Sequence, residues 1–390
     1  MTTMGFDYES RIKKVKQFID RKNLDYVIVT NLQNLYWLTG TAQYGSLLLK
    51  AEDDPKLFVR RNFFRAKKES IVNDIVELKK TSQITDHIIN CSPNIEHPKI
   101  GMELDSLPTS YYQYYKKLLN QAEILNVEMK LRKLRMIKDQ KEIEIHKKAG
   151  EVAQKTQEKL AGILKPGLRE HEIAAEVMKE AIKNKSVHFS NVNNAFGRNW
   201  FILTSGDGLW TPSSFPILSG NGFSPAIPYG YSDRKFQDGD MVVCDFAIIY
   251  EGYHADHART FHAGTVPEKF KENYLILKDT FLGVIEDYLR AGNPVNIIYK
   301  KMKTLLEKEN LDKYFQGDGY YYQGLGHGIG LELDEPPYFL PNNDTILKEN
   351  MVVSLEPKII IPHWGAINLE DNFVIKRGKP QQLTNTEYLF

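Results

Sequence analysis

Residues 241–261 read MVVCDFAIIYEGYHADHARTF, and the carboxy-terminal part of the chain is organised around them. Two strand-like runs, 241–249 and 254–262, flank a Glu251–Gly252 step that suits a tight two-residue turn. With that turn, Asp245 lies opposite Ala258 and Asp256 opposite Ala247, so both carboxylates project from one face of the ribbon. Three later stretches add residues of metal-ligand type: His327 in GLGHGIGLELDEPP, Glu356 in MVVSLEPKIII and Glu370 in WGAINLEDNFVI. Together these carboxylates and the imidazole carry about four negative charges, enough to balance two divalent cations, and an oxygen-rich donor set favours hard or borderline ions such as manganese, cobalt or iron. The chemistry this points to is a two-metal hydrolytic centre.

Glu356 and Glu370 bracket a second ribbon. They share a face only if the connection around Pro362 to Gly365 has an odd number of residues, or if a bulge shifts the register. One of those irregularities is expected.

Taken together, GDMVVCDFAIIYEGYHADHARTF, GLGHGIGLELDEPP, MVVSLEPKII and INLEDNF resemble the pita-bread metallopeptidases: methionine aminopeptidase, aminopeptidase P and prolidase, with creatinase as a non-peptidase relative. RIKKVKQFIDRKNLDYVIVTNLQNLYWLTGT, near the start, is similar to the opening of the creatinase/prolidase amino-terminal domain. The resemblance therefore covers nearly the whole chain and sets methionine aminopeptidase aside. It implies a creatinase/prolidase-like α/β domain over residues 1–132 and an α+β pita-bread catalytic domain over 133–390, with a curved antiparallel sheet inside and helices outside.

The resemblance also implies roles. Asp256 and Glu370 bridge two metals, Asp245 chelates one, and His327 and Glu356 complete the other. A water between the ions, acidified by them, is the nucleophile, and Glu356 is the candidate general base that carries its proton to the leaving nitrogen. The implied cofactors are two divalent ions, Mn2+ first, with Co2+, Fe2+ or Zn2+ as alternatives. Glycines around His327 are expected to let the backbone approach the cluster closely. Arg259, in DHARTF, also matches the family pattern, either as a structural salt bridge or as a residue that orients the ligands.

Three positions depart from the peptidase pattern. Asp334 stands where proteolytic members usually carry a His seven residues after the metal-binding one. Tyr229 replaces a further His ahead of the first ribbon, and Asn368 stands where relatives often have Arg. An ionised Asp334 cannot donate to a developing oxyanion, a loss that commonly costs ~10²–10³ in rate, but it can bind a cationic amine or guanidinium. Tyr229 keeps a hydroxyl donor. The first reading is a peptidase acting on Xaa-Pro bonds of dipeptides or short peptides. A creatinase-like hydrolase acting on a C–N or related bond of a small, cationic metabolite is the alternative. A catalytically silent peptide-binding module comes third, because it predicts eroded ligands and all five are intact.

Composition bounds the rest. At 390 residues the chain exceeds the usual size of one domain, so two cores are expected. A net charge of +1 gives no electrostatic reason to expect nucleic acid. Cys91 and Cys244 are too few for a disulfide framework and suit a reducing cytosol. Cys244 is expected to face the core, on the side of the strand opposite Asp245. No apolar run approaches the ~20 residues that span a bilayer, and the opening residues lack a secretory h-region. A cytoplasmic protein without a membrane partner is expected, and a homodimer by analogy with two-domain relatives.

In chain order, apolar spacing at Ile12, Val15, Phe18 and Ile19 predicts a helix over Glu9 to Lys22. Strands are expected at Asp25 to Thr30, Ser46 to Lys50 and Lys56 to Val59, and helices at Phe64 to Lys79 and Thr109 to Glu128. The boundary falls near Leu131 to Lys138, where one long charged helix begins and runs to about Leu164, stopped by Lys165-Pro166-Gly167. A second helix follows from His171, whose His171–Glu172 pair lacks the second His of a zinc motif. Helices at Glu268 to Arg290 and Val295 to Asn310 separate the first ribbon from the GHGIG stretch. Asn191 to Tyr231, rich in Gly, Ser, Pro and Asn, has no periodicity and is expected to line the cleft mouth.

Overall fold

Helix α1 (Tyr8–Arg21) buries Val15, Phe18 and Ile19 on one face, and Asp7 caps it by accepting from the Ser10 amide. It belongs to the first of two units, Met1–Arg135 and Met136–Phe390. The computed structural model describes residues 5–187, 201–212, 218–317 and 324–388. The first unit is a six-stranded mixed sheet in the order β4-β3-β2-β1-β5-β6. Its strands are β1 (Tyr26–Val29), β2 (Gly45–Leu49), β3 (Lys56–Val59), β4 (Asp74–Glu77), β5 (Lys99–Met102) and β6 (Glu123–Asn126). Helices α2 (Leu32–Thr39), α3 (Phe63–Glu69), α4 (Ser82–Cys91), α5 (Thr109–Leu118) and α6 (Glu128–Leu134) alternate with them.

Two helices expected in this unit are shorter than their sequence suggests. The run Phe64 to Lys79 leaves the helix at Glu69, because Ser70 takes an extended backbone and Asp74–Glu77 pairs parallel with β3. Likewise Thr109 to Glu128 stops at Leu118, and Glu123–Asn126 pairs parallel with β5. Pairing with a strand distant in sequence overrides local helix propensity in both cases. The long helix expected from Leu131 to Leu164 is also broken. Asp139 caps a new helix, α7 (Gln140–Ile163): the Glu142 amide donates to its carboxylate while the Asp139 amide donates to Glu142. Just before it, Ile137 bridges to Met351 and the Lys138 amide donates to the Asn350 carbonyl.

The second unit has the α+β pita-bread arrangement, and its strand pairings are antiparallel. One sheet is β7 (Phe201–Ser205), β8 (Asp240–Tyr250) and β9 (Tyr253–Ala263). A five-stranded sheet runs β11-β10-β12-β15-β16, from β10 (Gly326–Gly328), β11 (Glu335–Tyr338), β12 (Val352–Leu355), β15 (Asp371–Val374) and β16 (Gln381–Gln382). The hairpin of β13 (Lys358–Ile361) and β14 (Gly365–Asn368) forms a separate two-stranded sheet. Helices α7 and α8 (Glu170–Lys183) cover β8 through a core that includes Ala149, Ala153, Val177, Leu203 and Cys244. Helices α9 (Glu268–Tyr288) and α10 (Asn296–Lys308) pack Tyr274, Phe281, Ile298 and Met302 against Val353, Ile359 and Ile367. Among the described residues, no helix is long and apolar enough to cross a membrane.

Candidate metal centre

The β8–β9 ribbon has the register its sequence predicts: Asp245 pairs with Ala258 and Ala247 with Asp256. Glu251 and Gly252 make the turn with φ of 48° and 88°, both left-handed, the two-residue geometry that matches the strand twist. In the second ribbon, Ile361 pairs with Gly365 across a three-residue connection, the odd count needed for a shared face. Leu355 pairs with Asp371 and Lys358 with Asn368, so the same register places Glu356 opposite Glu370. The two ribbons are tied where the Glu370 amide donates to the Ala258 carbonyl, 3.0 Å. His327 enters on β10, held between β11 and β12. Its flanking glycines serve those strands rather than the cluster: a Cβ on Gly328 would lie 2.3 Å from the Pro336 carbonyl, and one on Gly326 2.1 Å from that of Ser354.

Asp256, His327 and Glu370 converge, each offering a ligand atom within 4.8 Å of the others, and all three are buried. His327 Nδ1 donates to the Gly328 carbonyl at 3.1 Å, and its Nε2 lies 3.1 Å from Asp334 Oδ1 and 3.7 Å from Asp256 Oδ2. Asp256 Oδ1 and Glu370 Oε2 are buried without a hydrogen-bond partner. Buried carboxylate oxygens are costly in that state, and a divalent cation satisfies both, so the residues present fit a metal. Burial first, and then the charges of Asp245, Glu356 and Asp334 on Asp256, and of Asp256, Asp245 and Glu356 on Glu370, push both well above the ordinary carboxylate range. Such carboxylates are ionised by a cation rather than by water alone.

The surroundings hold the donors in place. Ser354 Oγ donates to Glu370 Oε1 at 2.9 Å and accepts from Asn372, whose side chain also donates to the Asp256 carbonyl and accepts from the Asp256 amide. Asn368 Nδ2 donates to Asp245 Oδ2 at 3.3 Å. Arg259 is fully buried: it donates to the Glu370 carbonyl and to both oxygens of Asp371, at 2.8 and 3.1 Å. It therefore orients the ligand strand and is a buried salt bridge at once. His257 Nδ1 donates to the same Glu370 carbonyl at 2.7 Å. Lys358 is buried and ion-paired with Glu356. Burial opposes its charge, but Glu356, Asp245 and Glu370 outweigh burial and raise its pKa above the ordinary lysine value.

Asp334 also reaches the centre, its Oδ1 3.1 Å from His327 Nε2. Tyr229 is half-buried in the loop ahead of β8, beside Gly222. Of the Asn191 to Tyr231 segment, residues 191–200 and 213–217 lie outside the described residues. His171 sits in the first turn of α8, 3.6 Å from Asp233. Cys244 faces the core, and burial drives its thiol pKa up. Sequence reasoning missed Lys358, Ser354 and Asn372. Strand alternation was the available signal, since each is two residues from Glu356 or Glu370 on the same face.

A buried carboxylate and imidazole cluster on two crossing ribbons defines a metal-binding centre of the hydrolytic kind. Residues 144–377 match Metallopeptidase family M24 and residues 11–137 match the Creatinase/Prolidase N-terminal domain. This chain belongs to the metallopeptidase family M24. It is similar to the Xaa-Pro dipeptidase of Pyrococcus furiosus, 29% identical over 97% of this chain and 99% of that one. The solved prolidase of Pyrococcus horikoshii OT3 matches with a TM-score of 0.81 at 28% identity, covering 97% of this chain and 99% of that one. The Xaa-Pro dipeptidase of Bacillus anthracis matches with a TM-score of 0.83 at 25% identity, covering 98% and 99%.

Proposed function

We propose that this chain is a metal-dependent peptidase that hydrolyses Xaa-Pro bonds in dipeptides or short peptides. The convergence of Asp256, His327 and Glu370, with two carboxylate oxygens buried and unpartnered, carries the reading. Its likeness over nearly full length to Xaa-Pro dipeptidases supports the substrate class. Asp256, His327 and Glu370 would hold a divalent ion, with Asp245 and Glu356 as the further carboxylates of the set. Two divalent ions belong to this reading, and Mn2+ suits these oxygen-rich donors, with Co2+, Fe2+ and Zn2+ as alternatives. When bound, the metal supplies Lewis acidity and a water of lowered pKa.

The protein groups then have separable tasks. Glu356, the least buried of the five carboxylate and imidazole donors, accepts the proton of the attacking water and returns it to the proline nitrogen as the C–N bond breaks. Tyr229 offers a hydroxyl to the developing oxyanion. Asp334, beside His327, receives the free α-amino group of the Xaa residue. Arg259 fixes the Glu370 backbone so that its carboxylate does not drift. The domain division at residues 132 and 133, a homodimer and a cytoplasmic setting belong to the same reading.

Asp334 favours one second reading, a small cationic metabolite in place of a peptide, because an anionic group stands where the peptidase pattern has an imidazole. Metal-restored protein incubated with Xaa-Pro dipeptides and longer Xaa-Pro-headed peptides, read by mass spectrometry, separates the cases. Release of one amino-terminal residue supports a peptidase, and product length tells dipeptidase from aminopeptidase. Intact peptides in the presence of folded, metal-loaded protein would exclude it.

A further inference from the structure

Lys138 and Glu335 form a buried ion pair that the hydrolytic chemistry does not touch. The ammonium lies 3.2 Å from Glu335 Oε2, and each side chain is only 1% exposed. Glu335 opens β11 directly after Asp334, and the two neighbours face different ways: Glu335 is enclosed, whereas Asp334 is 34% exposed and reaches His327. The Glu335 carboxylate folds back against the turn of residues 329–334. Its Oε1 accepts from the Glu332 amide at 3.1 Å, and it packs so close to Gly330 that a Cβ there would stand 2.7 Å from Oε2. On β9, the His254 amide and its Nδ1 both donate to the Gly330 carbonyl at 2.9 Å. Lys138 is itself anchored, because its amide donates to the Asn350 carbonyl and the preceding Ile137 bridges to Met351.

We infer that Lys138 and Glu335 are positioning residues for substrate recognition: their ion pair fixes the 329–334 turn, and the turn fixes where the Asp334 carboxylate stands to receive the α-amino group of the substrate. Residues 329–334 belong to no strand or helix, so the backbone that carries Asp334 needs an anchor from outside the turn. A carboxylate at residue 335 provides one only if a cation meets it, because a buried charge without its partner is strongly destabilising. Lys138 supplies that cation from 197 residues earlier in the chain. None of these anchoring contacts involves His327 or a carboxylate of the metal cluster, so the placement holds whatever occupies the His327 lone pair. The inference rests on the proposed role of Asp334 as receiver of the amine, and goes beyond it by naming what sets that residue in place.

The test compares an Xaa-Pro dipeptide with the same compound lacking its α-amino group, on metal-restored protein. The wild type should favour the free amine roughly 10–100-fold in kcat/KM, the range of a charge-assisted hydrogen bond. Lys138→Met with Glu335→Leu removes the pair without leaving a lone buried charge, so it should fold with near wild-type stability. It should nevertheless lose most of that preference, through KM rather than kcat. Lys138→Arg should keep the preference. In Asp334→Ala the preference is already gone, and adding the double change should cost nothing further. Hydrogen exchange needs neither substrate nor metal: peptides covering 329–334 should exchange roughly 10-fold faster in the double variant, with β12 unchanged. Gly330→Ala, whose Cβ displaces the Glu335 carboxylate, is a second variant and should move both readouts the same way. A folded double variant with the wild-type preference, or with wild-type exchange over 329–334, would overturn the inference. Cleavage by the wild type without preference for the free amine would overturn it too and leave the peptidase reading intact. If the wild type cleaves no Xaa-Pro peptide, the substrate reading fails, and the exchange over 329–334 alone decides whether the pair anchors the turn.

Discussion

Replacing Arg259 by Met probes how far the centre depends on what lies behind it. The guanidinium donates to the Glu370 carbonyl at 2.9 Å, to Asp371 at 2.8 and 3.1 Å and to the Thr386 carbonyl at 2.9 Å, and stacks 4.4 Å from the Tyr388 ring. Methionine fills much of the same volume but leaves Asp371 as a buried carboxylate without its cation. Breaking a buried pair from one side costs about 3–5 kcal/mol. The Thr384 and Tyr388 hydroxyls still donate to Asp371, at 2.7 and 2.6 Å, which places the cost near the lower end, about 3 kcal/mol. For a unit of this size that lowers Tm by roughly 6–12 °C. The Glu370 carbonyl keeps only the His257 donor, while its amide stays tied to the Ala258 carbonyl and its carboxylate to Ser354, so metal affinity should fall roughly 10–100-fold. Differential scanning calorimetry and Mn2+ titration measure the two effects, and Arg259→Met with Asp371→Leu should recover part of the stability. A Tm within about 2 °C of the wild type, together with unchanged affinity, would refute the reasoning.

Other predictions follow from the same geometry. Asp256→Asn should abolish tight metal binding yet leave the metal-free protein as stable as the wild type or more so, because it removes one of several crowded buried charges; chemical denaturation of both proteins in chelator tests this. His146 is buried with its pKa pushed down to about 3, by desolvation first and then by the Lys138 charge. The unfolded chain therefore binds that proton first, so the stability His146 contributes is present above about pH 6.5 and lost as pH falls toward 3. At pH 5 the loss is about 2 kcal/mol, and urea unfolding at pH 7.5 and pH 5 should show a shallower pH dependence by that amount in His146→Gln. A thiol reagent should label exposed Cys91 in the native protein and reach Cys244 only on unfolding, as mass spectrometry of the labelled peptides would report.

How much of this was legible in the sequence depended on the range over which each feature is decided. The β8–β9 register could be read because a two-residue turn and strand alternation fix it locally, and the parity argument for Glu356 and Glu370 needed only the count of residues between their strands. Strands β4 and β6 were not legible. Asp-Ile-Val-Glu and Glu-Ile-Leu-Asn are four-residue runs with no buried position, and they become strands only by pairing with β3 and β5. Arg259 could be assigned to the family pattern, but its buried partners Asp371, Thr386 and Tyr388 lie more than a hundred residues away. Lys358 reads in isolation as a solvated surface charge. Only the carboxylates gathered on its face by folding make a buried ammonium tolerable there.

The central claim, metal-dependent hydrolysis of Xaa-Pro bonds at the Asp256, His327 and Glu370 cluster, is tested most directly by one rate comparison. Wild-type protein and Asp256→Ala, both stripped and resupplied with Mn2+ or Co2+, are incubated with an Xaa-Pro dipeptide and release of proline is followed. Release by the wild type that requires the added metal and is lost in Asp256→Ala is the predicted result. No release by the folded, metal-loaded wild type, or equal release by Asp256→Ala, would contradict it.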